Sequence, residues 1–492
     1  MPSSPRWCQL LPALWFATAL WTGESVHAAD LSAASGKPRG TGASPASPAT
    51  PVAAGRQAGR PAADPVAGQA AYTQSCARCH GISGKGDGVD AKRFYPRPRD
   101  LTMGVYKFRS TASGTPPTDE DLFRTITYGL PGSNMPDWQQ LDEATRWHLV
   151  DDLKSLSTVF EQTPPAPVTL GPDPGPTHDL AKGKTVYAQL GCAACHGLSG
   201  RANGTSAAGL VDDWGRPIRP ANLALGWNYR GGQTPRDIAM RLTAGIDGAG
   251  MPSYAEAISP EDAWHLAYYV ASLQELPQWR QILHALRVTG ELPASADDPR
   301  WASAERADVP VRNVVTPDGE WARPPTVRMV SLQAVHNGEA VAFRLTWDDP
   351  THEPEGAPDR LALFFKPVDT QGDVVTLQAW PYHGAPALDA WVWSAGSGTA
   401  VETIAPDVER VVAPTGSQAP RASAATYGDG RWRLIVQRPL HPDAPAEAAT
   451  VAVDGFTSIA FMVWDGGNPD TRAVSAWLDL SLREASPHRT KH

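Results

Sequence analysis

Residues 76–88 read CARCHGISGKGDG, and residues 192–200 read CAACHGLSG. The pattern Cys-x-x-Cys-His therefore occurs twice, at Cys76–His80 and at Cys192–His196. Apart from Cys8, these are the only cysteines in the chain. Cys-x-x-Cys-His is the attachment pattern of a c-type haem. Two thiols at this spacing reach the two vinyl groups of one porphyrin, and the adjacent histidine reaches the iron from below. A zinc site would need two more Cys or His ligands beside each motif, and neither motif has a second cysteine pair. A redox dithiol would not need the histidine. The motifs read as two covalent haems, held by Cys76, Cys79, Cys192 and Cys195, with His80 and His196 as iron ligands.

The surrounding sequence is also duplicated. GQAAYTQSCARCHG (68–81) parallels GKTVYAQLGCAACHG (183–197), DLFRTITYGLPGSNMP (121–136) parallels DIAMRLTAGIDGAGMP (237–252), and RWHLVDDLKSLS (146–157) parallels AWHLAYYVASLQ (263–274). These stretches read as helices. Ser259-Pro260-Glu261-Asp262 has an N-cap serine, a first-turn proline and acids at the positive end of the dipole. Met135 and Met251 each follow their histidine by the same number of residues, in a Gly/Pro loop just before the last helix. That placement suits a distal iron ligand. His/Met ligation raises a haem potential and fills both axial positions, which disfavours a peroxidase or an oxygen-activating enzyme. His148 and His265, also duplicated, read as helix-packing or surface residues. Arg97-Pro98-Arg99 and Arg219-Pro220-Ala221 suit haem propionates, a docking patch or a plain solvated loop.

The repeats resemble class I cytochrome c domains, which implies two all-α units, at 66–160 and 178–276. Before them, Arg6 and the apolar run Leu10–Trp21 predict an export signal (1–28) cleaved after Ala28. An Ala/Ser/Gly/Pro stretch (29–65) predicts a disordered tether. Residues 161–177 predict a proline-rich linker. The expectation is a periplasmic protein with no membrane span after cleavage. The net charge of −9 argues against a general nucleic-acid binder.

From 293 to 484 the pattern changes to short β-prone runs. TVRMVSLQAVHNGEAVAFRLTWDDP (326–350) reads as a hairpin turning at His336-Asn337-Gly338. LALFFKP, DVVTLQAW, LDAWVWSA, RWRLIVQRPL, TSIAFMVWDG and AVSAWLDLSL are further strand candidates, and together they suggest a β-sandwich. AVHNGEAVAFRLTWDDPTHE, PYHGAPALDAWVWSAG and IAFMVWDGGNPDTRAVSAWLDL resemble the haem-binding γ subunit of ethylbenzene dehydrogenase and of related dimethyl sulfide dehydrogenases, selenate reductases and chlorate reductases. The resemblance implies a b-type haem in a subunit that works with molybdopterin and iron–sulfur subunits. It implies a Met and a Lys as ligands, but His383 and Arg472 stand at those places here. Arginine is a poor iron ligand, whereas histidine is a good one. Either a haem b persists on His383, with Met462 or Lys366 as partner, or the domain has lost haem and only docks.

The function expected is electron transfer by a non-catalytic haem subunit or partner of a molybdoenzyme. A freestanding dihaem carrier with a docking module is the alternative, and a carbohydrate-binding sandwich is a weaker one.

Overall fold

The computed structural model describes residues 60–315, 324–353, 356–366, 387–405, 411, 419–421, 423–441, 451, 453, 455–468 and 471–483. The expected export signal and most of the tether lie outside these residues, as does the strand candidate DVVTLQAW. The fold has three parts, two helical repeats and then a domain of mainly antiparallel strands.

Each repeat uses the same four helices. In the first they are α1 (Pro65–Ser75), α2 (Ala77–His80), α3 (Asp119–Tyr128) and α4 (Glu143–Ser155), followed by a short α5 (Val159–Gln162). In the second they are α6 (Leu180–Gln189), α7 (Ala193–His196), α8 (Pro235–Ala244) and α9 (Pro260–Ser272). The helix starts are written in the sequence. Thr118 with Asp121, and Thr234 with Asp237, form matching capping boxes that begin α3 and α8. Ser259 caps α9 by accepting the amide of Asp262 at 3.0 Å, as its sequence predicts.

The first and last helices of each repeat cross at a glycine. A Cβ on Gly68 would lie 2.6 Å from the carbonyl oxygen of His148, and one on Gly183 would lie 2.2 Å from that of His265. Only a residue without a side chain lets the two backbones approach so closely. Around each crossing the apolar faces close into a core, with Tyr72, Leu122, Leu149 and Val150 in the first repeat and Tyr187, Ile238, Trp264 and Leu266 in the second.

The proline-rich segment between the repeats is tied down at several points. Ala112 N donates to Ala166 O, and Val168 N to Ser110 O, at 2.8 and 2.9 Å. Leu170 is buried in the second core, and its carbonyl accepts the indole N–H of Trp264 at 2.9 Å. The folded part also starts earlier than composition suggests, since Arg60 pairs with Asp119 and Asp151.

The strand-rich domain begins at β1 (Ile282–His284) and β2 (Leu286–Arg287), ahead of the boundary expected at 293. β3 (Arg306–Val315) is shared by two sheets. Its first half pairs with β4 (Met329–His336), and its second half pairs with β13 (Thr471–Ser475). One sheet runs β10 (Ser423–Gly428), β11 (Arg431–Pro439), β5 (Ala340–Asp348), β4, β3. The other runs β3, β13, β12 (Phe456–Trp464), β6 (Arg360–Phe365), β7 (Leu388–Ser394), β8 (Ala400–Ala405), β9 (Ala419–Arg421), with β14 (Leu478–Ser481) also on β12. A strand that passes from sheet to sheet bends the pair toward a barrel, so the expected sandwich is nearly closed.

The β4–β5 hairpin turns where the sequence places it. Gly338 has φ of +95°, and the Asn337 side chain accepts the amides of Glu339 and Ala340. Between the sheets lie Phe343, Leu345, Trp347, Phe365, Trp393 and Trp432, so these strand tryptophans are core. Burying an aromatic side chain of this kind contributes about 2–3 kcal/mol. The second sheet is buried on its outer face too, by Ala362, Phe364, Val392, Met462 and Val474. This is why β6, β7 and β12 read as continuous apolar runs and not as alternating ones.

Candidate haem sites

In each repeat the two cysteines and the histidine sit on one short helical turn. The amide of His80 donates to Cys76 O, and that of His196 to Cys192 O, both at 2.9 Å. All four cysteines are free and half-buried. Burial pushes the Cys76 thiol up to about 12 and the Cys192 thiol up to about 11. Among the described residues, neither motif gathers three His, Cys or carboxylate ligand atoms within 4.8 Å of one another, as a zinc site would.

The histidines are fixed in the same way. His80 Nδ1 is 2.9 Å from Arg99 O, and His196 Nδ1 is 2.9 Å from Ala221 O. Burial lowers the pKa of both rings against the opposing pull of these carbonyl bonds, so both are held neutral. A neutral imidazole whose Nδ1–H is committed to a carbonyl presents Nε2 with its lone pair, the orientation of a metal-ligating histidine. The Arg97-Pro98-Arg99 and Arg219-Pro220-Ala221 stretches thus act first through their backbone. Sequence reading found the motifs and missed this role, because a carbonyl has no residue signature. The tyrosines upstream brace the same turns, with Tyr72 Oη donating to Gly81 O and Tyr187 Oη to Gly197 O at 2.8 and 2.7 Å.

The methionines occupy matching loops. Leu130 N donates to Met135 O and Ile246 N to Met251 O, both at 3.0 Å. Gly129 and Gly245 stand at the same point, with φ of +63° and +71°. Met251 and Cys192 pack on the same core cluster, and Met135 is half-buried. Of the other duplicated histidines, His265 is buried and accepts the amide of Asp179 at 2.9 Å. It is a packing residue, as expected.

The residues fit a haem in a further respect. Tyr106 Oη and Trp138 Nε1 are buried beside the first core without a hydrogen-bond partner, as is Trp227 Nε1 in the second repeat. Buried polar atoms are seldom left unpaired, and a group carrying carboxylates would pair with them.

Comparison with known families settles what the repeats are. The family described as "Cytochrome c" matches residues 180–274, and that described as "Cytochrome C oxidase, cbb3-type, subunit III" matches residues 63–151. Both repeats are cytochrome c domains. Cytochrome c domains imply covalent haem c. The chain is similar to the cbb3-type cytochrome c oxidase subunit FixP of Azorhizobium caulinodans, at 26% identity over 215 residues, covering 42% of this chain and 58% of FixP. It thus spans little more than half of that relative. It is similar to a Haloferax mediterranei protein ascribed the role of respiratory nitrate reductase heme subunit, at 25% identity over 38% of this chain and 67% of that protein. A solved chain of the reducing HAO-like protein complex of Kuenenia stuttgartiensis is 43% identical, covering 42% of this chain and 96% of that one, with a TM-score of 0.41.

The two cytochrome c domains meet through their ligand loops. The Arg99 guanidinium stacks over Trp214 at 4.0 Å, and Tyr95 Oη donates to Pro217 O at 2.8 Å. Asp247, in the Met251 loop, accepts from Arg109 and from Ser113 Oγ at 2.7 Å. A Cβ on Gly132, in the Met135 loop, would collide with Asn228 of the second domain. The second domain also meets the strand domain. Asp348 accepts from Arg431 (2.5 Å) and Asn222 (2.8 Å) and forms an ion pair with Arg201 (3.3 Å), while Glu275 pairs with both arginines.

Of the residues expected to hold a haem b, His383 lies outside the described residues. Met462 is fully buried on the outer face of the second sheet, opposite Ala362 and Val474. Arg472 precedes Val474 by two residues and so shares that face. It is buried, and its Nε has no hydrogen-bond partner. Lys366 directly follows β6 and continues the alternation onto that face, with its amide bonded to Ser458 O at 2.9 Å.

Among the described residues no helix is long and apolar enough to cross a membrane.

Proposed function

We propose that this chain is an exported dihaem electron-transfer protein. One covalent haem would sit in each cytochrome c domain, on Cys76 and Cys79 with axial His80 and Met135, and on Cys192 and Cys195 with axial His196 and Met251. The observation that carries this reading is the duplicated histidine geometry, a neutral ring tied at Nδ1 to a backbone carbonyl at 2.9 Å in both domains. When bound, each haem supplies one-electron redox chemistry at its iron. The protein's part is to hold both axial positions, exclude water with the Tyr72 and Tyr187 cores, and fix the two ligand loops against each other. The Arg99–Trp214 stack and the Asp247 contacts support passage of electrons between the domains.

The relatives are named as subunits of redox complexes, which supports a haem subunit or partner of an oxidoreductase complex, and the export signal read in the sequence would place it in the periplasm. The resemblance of the third domain to the γ subunits favours a molybdenum enzyme, with molybdopterin and iron–sulfur subunits as partners. The shared face of Met462, Arg472 and Lys366 favours a further, non-covalent haem b in that domain.

Haem content of the denatured mature protein tests the core of this reading. Two haems should remain after acid-acetone extraction, and one in the Cys192→Ala/Cys195→Ala variant. A porphyrin released from the wild type would be the haem b, and loss of all haem would overturn the assignment. Met135→Ala and Met251→Ala should each lower one haem potential and admit carbon monoxide to one reduced iron. Unchanged potentials would remove the methionines from the iron.

A further inference from the structure

Three carboxylates from separate stretches of the strand domain converge in its interior. Asp349 follows β5, Asp359 precedes β6 and Asp465 follows β12, and each offers an oxygen within 4.8 Å of those of the others. Asp349 and Asp359 are fully buried, and Asp465 is 5% exposed. Among the described residues no lysine, arginine or histidine pairs with any of them. Arg431 is paired with Asp348 and Glu275, and the His352 ring stacks on Tyr427 at 4.5 Å.

Neutral donors hold the outer oxygens of the cluster. Asp359 accepts Trp432 Nε1–H at 3.0 Å and Gly466 N–H at 2.8 Å. Asp465 accepts Gly467 N–H at 2.8 Å and the Thr326 hydroxyl. Asp349 Oδ1 accepts Thr351 N–H at 3.2 Å. Its other oxygen, Oδ2, is buried and has no hydrogen-bond partner. Glu353 Oε2, in the same loop, is likewise buried and unpartnered. The backbone of Gly467 approaches the cluster so closely that a side chain would collide with it. A Cβ on Gly467 would stand 2.9 Å from Glu353 Oε1, 3.0 Å from Asp465 Oδ1 and 3.2 Å from Thr351 Oγ1.

Buried like charges with no counter-charge repel strongly, and an unpaired buried carboxylate oxygen is costly. A small divalent cation removes both problems together. The donors are all hard oxygens, with no imidazole or thiolate in the cluster, and several carboxylates from irregular loops suit calcium better than zinc or magnesium. We propose that the strand domain binds one structural calcium ion between Asp349, Asp359 and Asp465, with Glu353 at its edge. The ion ties β5, β6 and β12 together at one end of the two sheets. The site is separate from the cysteine and methionine sites and independent of what they carry.

The test uses the full-length haem-loaded protein. After treatment with a chelator and dialysis against calcium chloride, elemental analysis should find one calcium per chain, and calcium alone should raise the melting temperature of the chelated protein. Asp349→Asn should lose the bound calcium and the thermal response, while Asp297→Asn, on the surface, should keep both. If Asp349→Asn does not fold, the wild-type stoichiometry and thermal response decide the matter. The proposal is overturned if the wild-type protein retains no calcium and melts at the same temperature with and without it, for then the carboxylates share protons. Retention of zinc in place of calcium would also overturn it.

Discussion

Gly183→Ala should destabilise the second cytochrome c domain more than Gly68→Ala does the first. At Gly183 the new Cβ would stand 2.2 Å from His265 O and 2.7 Å from Tyr269 Cβ, where ordinary contact starts at 3.4 Å. The obstacle is mainly backbone, so it cannot rotate aside, and α6 must back away from α9 by about 1 Å, an overpacking that costs at the upper end of about 1–3 kcal/mol. Against this, alanine favours the helix over glycine by about 1 kcal/mol. The net loss is about 2 kcal/mol, roughly a 30-fold rise in the unfolding constant. At Gly68 the nearest atom is 2.6 Å away, and the helix-propensity gain offsets most of the smaller clash, leaving about 1 kcal/mol or less. Urea unfolding of each full-length variant, followed by haem absorbance and helical circular dichroism, would read the two losses separately. Equal midpoints for both variants, or a Gly183→Ala protein as stable as wild type, would refute the close-crossing argument.

Asp348→Ala should loosen the strand domain from the second cytochrome c domain by about 1–2 kcal/mol, because Arg431 loses a buried partner while both arginines keep Glu275 and Arg201 keeps Asp429. In denaturant the strand and haem transitions should then separate, and a single unchanged transition would show the cluster to be dispensable. The same interface predicts a pH dependence. Burial pulls the Glu275 carboxyl up, but Arg431 and Arg201 outweigh it and hold the group below its ordinary 4.5. A depressed carboxylate stabilises fully above the unfolded value and loses that contribution as pH falls through the folded one. Melting temperature should therefore drop below pH 4.5, and less so in Glu275→Gln.

Much of the geometry around the two Cys-x-x-Cys-His motifs is legible in the sequence because it is local. The thiols and the histidine must be neighbours in the chain, and the duplication then locates the methionine loops. The helix caps at Thr118, Thr234 and Ser259 are legible for the same reason, being contacts within three residues. The Asn337-Gly338 turn is another local signal. What the sequence hides is long-range or backbone-borne. The carbonyls of Arg99 and Ala221 carry no residue preference. Asp349, Asp359 and Asp465 look like ordinary loop acids until the sheets bring their loops together. Leu170, an apolar residue in a proline-rich stretch, gives no hint of burial against a tryptophan ninety-four positions away.

That last contact bears on kinetics. A free tether between two redox modules would let them tumble, and any electron exchange between them would be averaged over many separations and orientations. The segment from 163 to 176 instead bonds to residues 110–112 of one module and inserts Leu170 into the other. Together with the Arg99–Trp214 stack, this joins the modules as a single solid unit. Exchange between them should follow one exponential and be insensitive to solvent viscosity, because no diffusive search precedes the tunnelling step.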